Sequence, residues 1–198
     1  MRRLLHFIFS FPFFYNQMQI FFGANKKKAL VNKYYRFVDK DAIILDLGGG
    51  TGLYRDLWPE HYRYICLDND TVKLKGLVHQ HPLDFVLLAD ASRIPIKDQS
   101  IDVIFCSSFS HHVSEDVLDK VLGESARVLK VSGKLLFLDA ILHRESFLNK
   151  FLWNIDRGGH PHTFEQLTSL VGRYFSIEVS NKFSIYYDYV FFVGTKKS

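Results

Sequence analysis

An apolar run, Ile43-Ile44-Leu45-Asp46-Leu47, opens directly into four glycines within five positions: Gly48, Gly49, Gly50 and Gly52. Glycine weakens any regular element it interrupts, so its concentration after a buried-type strand marks a place where backbone must turn tightly or approach a ligand closely. The fold must therefore either turn sharply at this strand end or bring a ligand to it.

The rest of the chain fits that demand. After residue 40 it alternates between continuous apolar runs and amphipathic segments. Strands are expected over 42–47, 62–68, 84–90, 101–108 and 132–140, with helices over about 52–59, 71–80, 114–130 and 163–175. Ser114 and Thr163 read as helix caps. Two further strands, joined by a turn at Ser180-Asn181, close the chain. Near-continuous apolar strands separated by helices predict an α/β fold: a doubly wound, mostly parallel sheet of about seven strands, with helices on both faces and an antiparallel C-terminal hairpin. Ligands of such sheets bind beyond the carboxyl ends of the strands, where the winding reverses. Asp46, Asp68, Asp90, Ser107 and Asp139 all end expected strands there.

Composition adds limits. At 198 residues, 47% hydrophobic and 23% charged, the chain suits a single domain with a substantial core. We divide it into an N-terminal helical cap, 1–38, and a ligand-binding domain, 39–198. A net charge of +4 with scattered basic residues, apart from Lys26-Lys27-Lys28 and Lys196-Lys197, does not make a nucleic-acid footprint. Cys66 and Cys106 lie in apolar runs without metal-ligand spacing and read as buried thiols of a reducing compartment. The N-terminus has two arginines and an apolar run but lacks a small-residue cleavage site, and His6, Ser10 and Pro12 interrupt it. It falls short of the ~20 apolar residues that cross a bilayer. Helices are expected from Ser10 to just before Gly23 and over 26–38. Seven of the 19 phenylalanines lie in the first 22 residues, so this segment covers a cleft, a partner or a membrane surface. The reading is of a cytoplasmic protein, with peripheral membrane contact through residues 1–22 as the second option.

The glycines space as Asp46-x-Gly48-x-Gly50-x-Gly52. A dinucleotide fingerprint requires a third glycine at position 53, which is Leu53, and no P-loop lysine follows. The spacing resembles instead the first motif of class I S-adenosylmethionine-dependent methyltransferases. Asp68 ends the next strand 20 residues after Gly48, where a carboxylate can accept both hydroxyls of a ribose in either cofactor family. The segment 87–113, with Asp90, Ile94-Pro95-Ile96, Asp98, Ser100-Ile101-Asp102 and His111-His112, is similar to the corresponding segment of small methyltransferases. So is 126–140, with Arg127, Leu129-Lys130 and Gly133. The resemblance spans about 40–140 and includes enzymes of quinone biosynthesis. It departs from the family's usual turn at Val131-Ser132-Gly133.

That resemblance implies S-adenosylmethionine as cofactor. Asp46, Gly48, Gly50 and Gly52 then frame its methionine end, and Asp68 holds the ribose with Asn69 beside the adenine. Asp90 accepts from the adenine amino group, the Ala91 amide donates to the ring, and Ser107 lines the sulfonium side. Methyl transfer is an in-line displacement in which alignment supplies most of the acceleration. A base is needed only for a protonated acceptor, and His111 and His112, at the mouth after the fourth strand, suit that role. Arg157 and His160 in the insert 141–163, with Tyr15 from the aromatic N-terminus, are expected to touch the acceptor. No metal is expected: His160-Pro161-His162 lacks a third ligand. Cys106-Ser107-Ser108-Phe109 stands where base-amino methyltransferases carry Asn/Asp-Pro-Pro-aromatic, which argues against nucleic acid. The expected acceptor is a small apolar or aromatic molecule, lipid-like or quinone-like. The alternative is a catalytically silent methyltransferase-like binding protein.

Overall fold

The structure, a computed structural model, describes residues 23–35, 41–142, 159–185 and 187–197. The expected N-terminal helix before Gly23 and most of the insert after strand five lie outside these residues.

Helix α1 (Ala24–Tyr35) leads into strand β1 (Ile43–Leu47) and a 3-10 turn (Arg55–Leu57). Strand β2 (Arg63–Asp68), helix α2 (Thr71–Gln80), and strands β3 (Phe85–Leu88) and β4 (Ile101–Ser107) follow. A second 3-10 turn (Ser110–His112), helix α3 (Glu115–Val128) and strand β5 (Leu129–Ile141) come next. Helix α4 (Phe164–Tyr174) and strands β6 (Phe175–Ser184) and β7 (Asp188–Lys196) complete the described chain. The strands form one seven-stranded sheet in the order β3-β2-β1-β4-β5-β7-β6. The first five run parallel, and β7 inserts antiparallel between β5 and β6. The winding reverses between β1 and β4, which places the ligand crevice beyond Leu47 and Ser107.

Alternation along each central strand feeds two apolar layers. On one face Leu45, Ile104, Leu135, Phe137 and Phe192 pack with Leu118, Val121 and Leu122 of α3 and Leu167, Leu170 and Val171 of α4. On the other, Ile44, Tyr64, Phe105, Leu136 and Phe191 meet Val31 of α1, Leu74 and Leu77 of α2, and Tyr54, Leu57 and Trp58. Helix α4 starts with the expected Thr163 cap, in a reciprocal box with Gln166. Ser114 occupies the N-cap position of α3, but its hydroxyl makes no cap bond.

Two expectations are corrected. The helix expected over 52–59 is only the 3-10 turn Arg55–Leu57. Pro59 disfavours helical geometry at Trp58, which is extended at φ −105°, ψ 104°. The aromatic rings of Tyr54 and Trp58 pack edge-on to Phe105. The turn expected at Ser180-Asn181 is not there: β6 runs through both residues, with Asn181 opposite Phe191, and between β6 and β7 the Ile185 amide donates to the Tyr187 carbonyl. On an edge strand every second side chain is exposed, so a Ser-Asn pair sits in the ladder without loss.

Candidate active site

The glycine loop is a backbone cradle. Gly48, Gly50 and Gly52 all have positive φ, at 70°, 57° and 73°. The amides of Gly48 and Gly49 both donate to the Leu67 carbonyl of β2, at 2.7 and 3.3 Å. A methyl group on Gly48 would lie 2.6 Å from the Phe109 ring. Gly49 was not among the expected site residues. A Cβ there would come within 2.7 Å of both the Asp46 carboxyl carbon and the Cys66 sulfur, so close packing of β1 against β2 requires glycine at this position.

Two carboxylates flank the loop. Register pairs Asp46 with Cys66 on β2 and with Phe105 on β4, so Asp46 shares a sheet face with Tyr64 and Asp68. The Tyr64 hydroxyl donates to Asp46 Oδ2 at 2.5 Å. Burial pushes Asp46 up to about 7; the Tyr64 hydrogen bond opposes that rise and the nearby Asp68 charge adds to it. Asp68 accepts from the Gly50 amide at 2.9 Å and from the Asp70 amide at 2.8 Å. The same carboxylate therefore shapes the glycine loop and faces the ligand space. Asp90, at the exposed rim, accepts from the Ser92 amide at 2.8 Å, and its hydrogen bonds to Ser92 hold it below the usual carboxylate range.

The end of β4 forms the opposite wall. Ser108 adopts φ 53°, a left-handed conformation costly for a residue with a side chain. Its amide donates to the Leu138 carbonyl at 2.9 Å, and the residues that follow it are held by Asp139 of β5. This fully buried carboxylate accepts from the Phe109 amide at 2.9 Å, the Ser110 amide at 2.6 Å and the Ser110 hydroxyl at 2.8 Å. His111 Nδ1 lies 2.6 Å from the second Asp139 oxygen. Burial pushes Asp139 up, but the His111 charge and these hydrogen bonds outweigh it and hold the group at about 2. The clamp aims Phe109 at Gly48 and leaves the Ser107 hydroxyl buried, with no hydrogen-bond partner among the described residues.

These elements enclose a cavity of about 450 Å³. Asp46, Gly48, Gly50, Asp68, Asn69, Asp90, Ala91 and Ser107 all line it. Gly52 does not; its positive φ lets the loop pass against Leu77 behind the cavity. Of the two histidines, His112 lines the cavity while His111 is buried against Asp139, and their ring centroids are 4.1 Å apart. His160 contributes its backbone amide to the His111 carbonyl, at 3.0 Å, and does not line the cavity. His162 is buried, with Nε2 at 3.1 Å from the Ser110 carbonyl and 3.2 Å from that of Val113. Arg157 and Tyr15 lie outside the described residues. Cys66 and Cys106 are buried free thiols, pushed up by burial.

The cavity fits a cation-bearing nucleoside. Three carboxylates line it, three glycines expose backbone to it, and the Ser107 hydroxyl is buried without a partner among the described residues. Residues 45–137 match the family model described as a methyltransferase domain. Malonyl-[acyl-carrier protein] O-methyltransferase of Hamiltonella defensa is 30% identical over 141 residues, covering 69% of this chain and 54% of that protein. Phthiotriol/phenolphthiotriol dimycocerosates methyltransferase 1 of Mycobacterium ulcerans is 34% identical over 115 residues, covering 58% of this chain and 40% of that protein. The chain thus spans about half the length of the curated relatives it matches. The solved YcgJ protein of Bacillus subtilis has the same fold, with a TM-score of 0.73 at 15% identity over 88% of this chain and 99% of its own. Residues 45–137 thus resemble a methyltransferase domain in sequence, and the described residues share the fold of the solved YcgJ protein.

Proposed function

We propose that the protein moves a methyl group from S-adenosylmethionine to a small apolar acceptor. One observation carries this reading: Asp46 and Asp68 converge with Gly48, Gly50 and Ser107 on a single cavity. S-adenosylmethionine supplies a sulfonium-activated methyl group, open to in-line attack. In this reading Asp68 accepts from the ribose hydroxyls, Asn69 and Ala91 flank the adenine, and Asp90 accepts from its amino group. Asp46 and the glycine amides take the methionine end, and the Ser107 hydroxyl meets the ligand near sulfur.

The acceptor enters beside His112, the titratable group on that wall, which takes the proton of a hydroxyl or phenol acceptor. His111, fixed by Asp139, supports the His112 ring from behind. Arg157, His160 and Tyr15 are proposed to contact the acceptor from the flanking segments. An apolar, lipid-like acceptor is supported by the aromatic N-terminal sequence and by the dimycocerosate substrate that one relative's name states. Among the described residues no helix is long and apolar enough to cross a membrane. Contact of residues 1–22 with a membrane surface is tested by liposome flotation of the full chain and of a chain lacking them.

The first test of function is calorimetric titration of the full chain and of Asp68→Ala with S-adenosylmethionine, S-adenosylhomocysteine and NADH. Binding of the first two, weakened ten- to hundred-fold by Asp68→Ala, is expected, followed by transfer of labelled methyl to lipid, quinone or phenol acceptors. Binding of NADH alone, or of none of the three by folded protein, overturns the reading.

A further inference from the structure

Asp46 occupies an unusual electrostatic position. It is 2% exposed, lines the ligand cavity, and has no ion-pair partner among the described residues. Every group β2 turns toward it is neutral or negative. The Tyr64 hydroxyl donates to one oxygen, the Cys66 thiol borders the carboxyl across Gly49, and the Asp68 carboxylate enters the same cavity. From β4, Phe105 is its strand neighbour and Cys106 is the next residue, a buried thiol. The cations nearby are engaged elsewhere. Arg55 lies over the Tyr64 ring, 5.0 Å from its centroid, with its Nε on Asp84 at 2.5 Å. Lys73 lines the same cavity beside Gly50, with Nζ 3.9 Å from Asp70.

A buried carboxylate beside a second carboxylate, with a neutral donor and no cation, is costly to ionise. An arriving sulfonium changes that balance because it is the missing cation. Resting on the cofactor reading above, we infer that Asp46 is the charge-discriminating residue of the site. It releases its proton when S-adenosylmethionine binds and regains one from solvent after methyl transfer. Transfer breaks the carbon–sulfur bond and leaves its electron pair on sulfur, so the ligand loses one positive charge while Asp46 takes up one proton. The site thereby holds the methyl donor more tightly than the spent thioether and favours exchange after each turnover.

The pH consequence has a definite sign. The donor binds the ionised form of Asp46, so the ratio of S-adenosylmethionine to S-adenosylhomocysteine affinity rises with pH. It gains about tenfold per unit below the free-site midpoint and levels off above about 7. Both ligands carry the same amino group, so its own titration cancels from the ratio.

Calorimetry of the full chain at pH 7, in phosphate and in Tris, reads the protons released from the difference in apparent enthalpy. S-adenosylmethionine is expected to release about half a proton more than S-adenosylhomocysteine in the wild type and no more than it in Asp46→Asn. Tyr64→Phe, which removes the donor that favours ionisation, is expected to move the rise in the affinity ratio to higher pH; this variant decides the matter if Asp46→Asn does not fold. Equal proton release by the two ligands in wild type overturns the inference while leaving the cofactor reading intact. A difference that survives in Asp46→Asn, or an unmoved rise in Tyr64→Phe, overturns it as well. Failure of both ligands to bind folded wild type removes the cofactor reading itself.

Discussion

The carboxylate of Asp139 and the imidazole of His111 meet at 2.6 Å across the ends of two neighbouring strands. The pair is the centre of a clamp that also holds the amides of Phe109 and Ser110. Through those amides Asp139 fixes the chain that follows the left-handed Ser108 and sets Phe109 against Gly48, while Ser107 lines the cavity. A residue outside the cavity thus sets the shape of one of its walls.

Breaking this clamp is expected to be expensive. Asp139→Ala leaves several buried donors without an acceptor, and a loss of about 3–5 kcal/mol is expected, the scale for removing one partner of a buried pair. Asp139→Asn retains part of the network and should cost less. The wild-type contribution is also pH-dependent. Folded Asp139 titrates at about 2, below its unfolded value near 3.8. Its stabilisation is therefore present above pH 4 and is lost as pH falls toward 2, on the order of 2 kcal/mol in all. Urea denaturation between pH 2.5 and 6, on wild type and Asp139→Asn, checks both statements. A parallel acid loss in the two proteins contradicts the assignment.

Ser107→Ala separates stability from binding. The Ser107 hydroxyl is buried without a partner among the described residues, so removing it should leave the ligand-free protein unchanged or more stable by up to ~1 kcal/mol. The same change should weaken S-adenosylmethionine binding several-fold. Thermal melts with and without ligand give both quantities from one preparation. Opposite signs are the expected result, and a destabilised free protein with unchanged affinity would show that the hydroxyl serves the fold.

At Gly49 and Gly50 the same substitution should act differently. Alanine at Gly49 drives a methyl group into Asp46 and Cys66, and overpacking of this kind costs about 1–3 kcal/mol. Alanine at Gly50 points toward Lys73 Cδ at 3.3 Å and Asp68 Oδ2 at 3.6 Å, so its main burden is the positive φ, ~1 kcal/mol, together with intrusion into the ligand space. Denaturation should rank Gly49→Ala as the less stable variant. Ligand titration should show that Gly50→Ala loses affinity beyond its loss of stability.

Most of the cavity floor could be read from the chain because it depends on local grammar. Asp46, Asp68 and Asp90 sit at the ends of their expected strands, and Gly48 and Gly50 follow from the need for backbone at a turn. What escaped depends on pairing between distant segments. Tyr64 serves Asp46 only because parallel register sets Cys66 opposite Asp46 and alternation places Tyr64 on the same face. Gly49 is constrained by a sulfur on the neighbouring strand, which no local pattern announces. Asp139 had a usable signal: a carboxylate embedded in the apolar run of β5 must find partners, and a histidine pair already stood at the end of the preceding strand. The displaced hairpin turn shows the reverse error, where turn-type residues sat within an edge strand that tolerates them.

Asp46 should govern how the ligand-free protein responds to pH, with a sign opposite to that of Asp139. Its folded pKa of about 7 lies above the unfolded 3.8, so the unfolded chain ionises first as pH rises. The stability Asp46 lends is full below pH 4, declines between 4 and 7, and is gone above that, a total on the order of 4 kcal/mol. Other groups titrate over the same range, so the informative quantity is the difference between wild type and Asp46→Asn. That difference is expected to shift against the wild type from pH 4.5 to 7.5 in urea denaturation. Saturating S-adenosylmethionine should flatten it, because a bound sulfonium removes the penalty of the ionised carboxylate. A difference independent of pH would mean that Asp46 is ionised throughout, and the Tyr64 hydrogen bond would then outweigh burial.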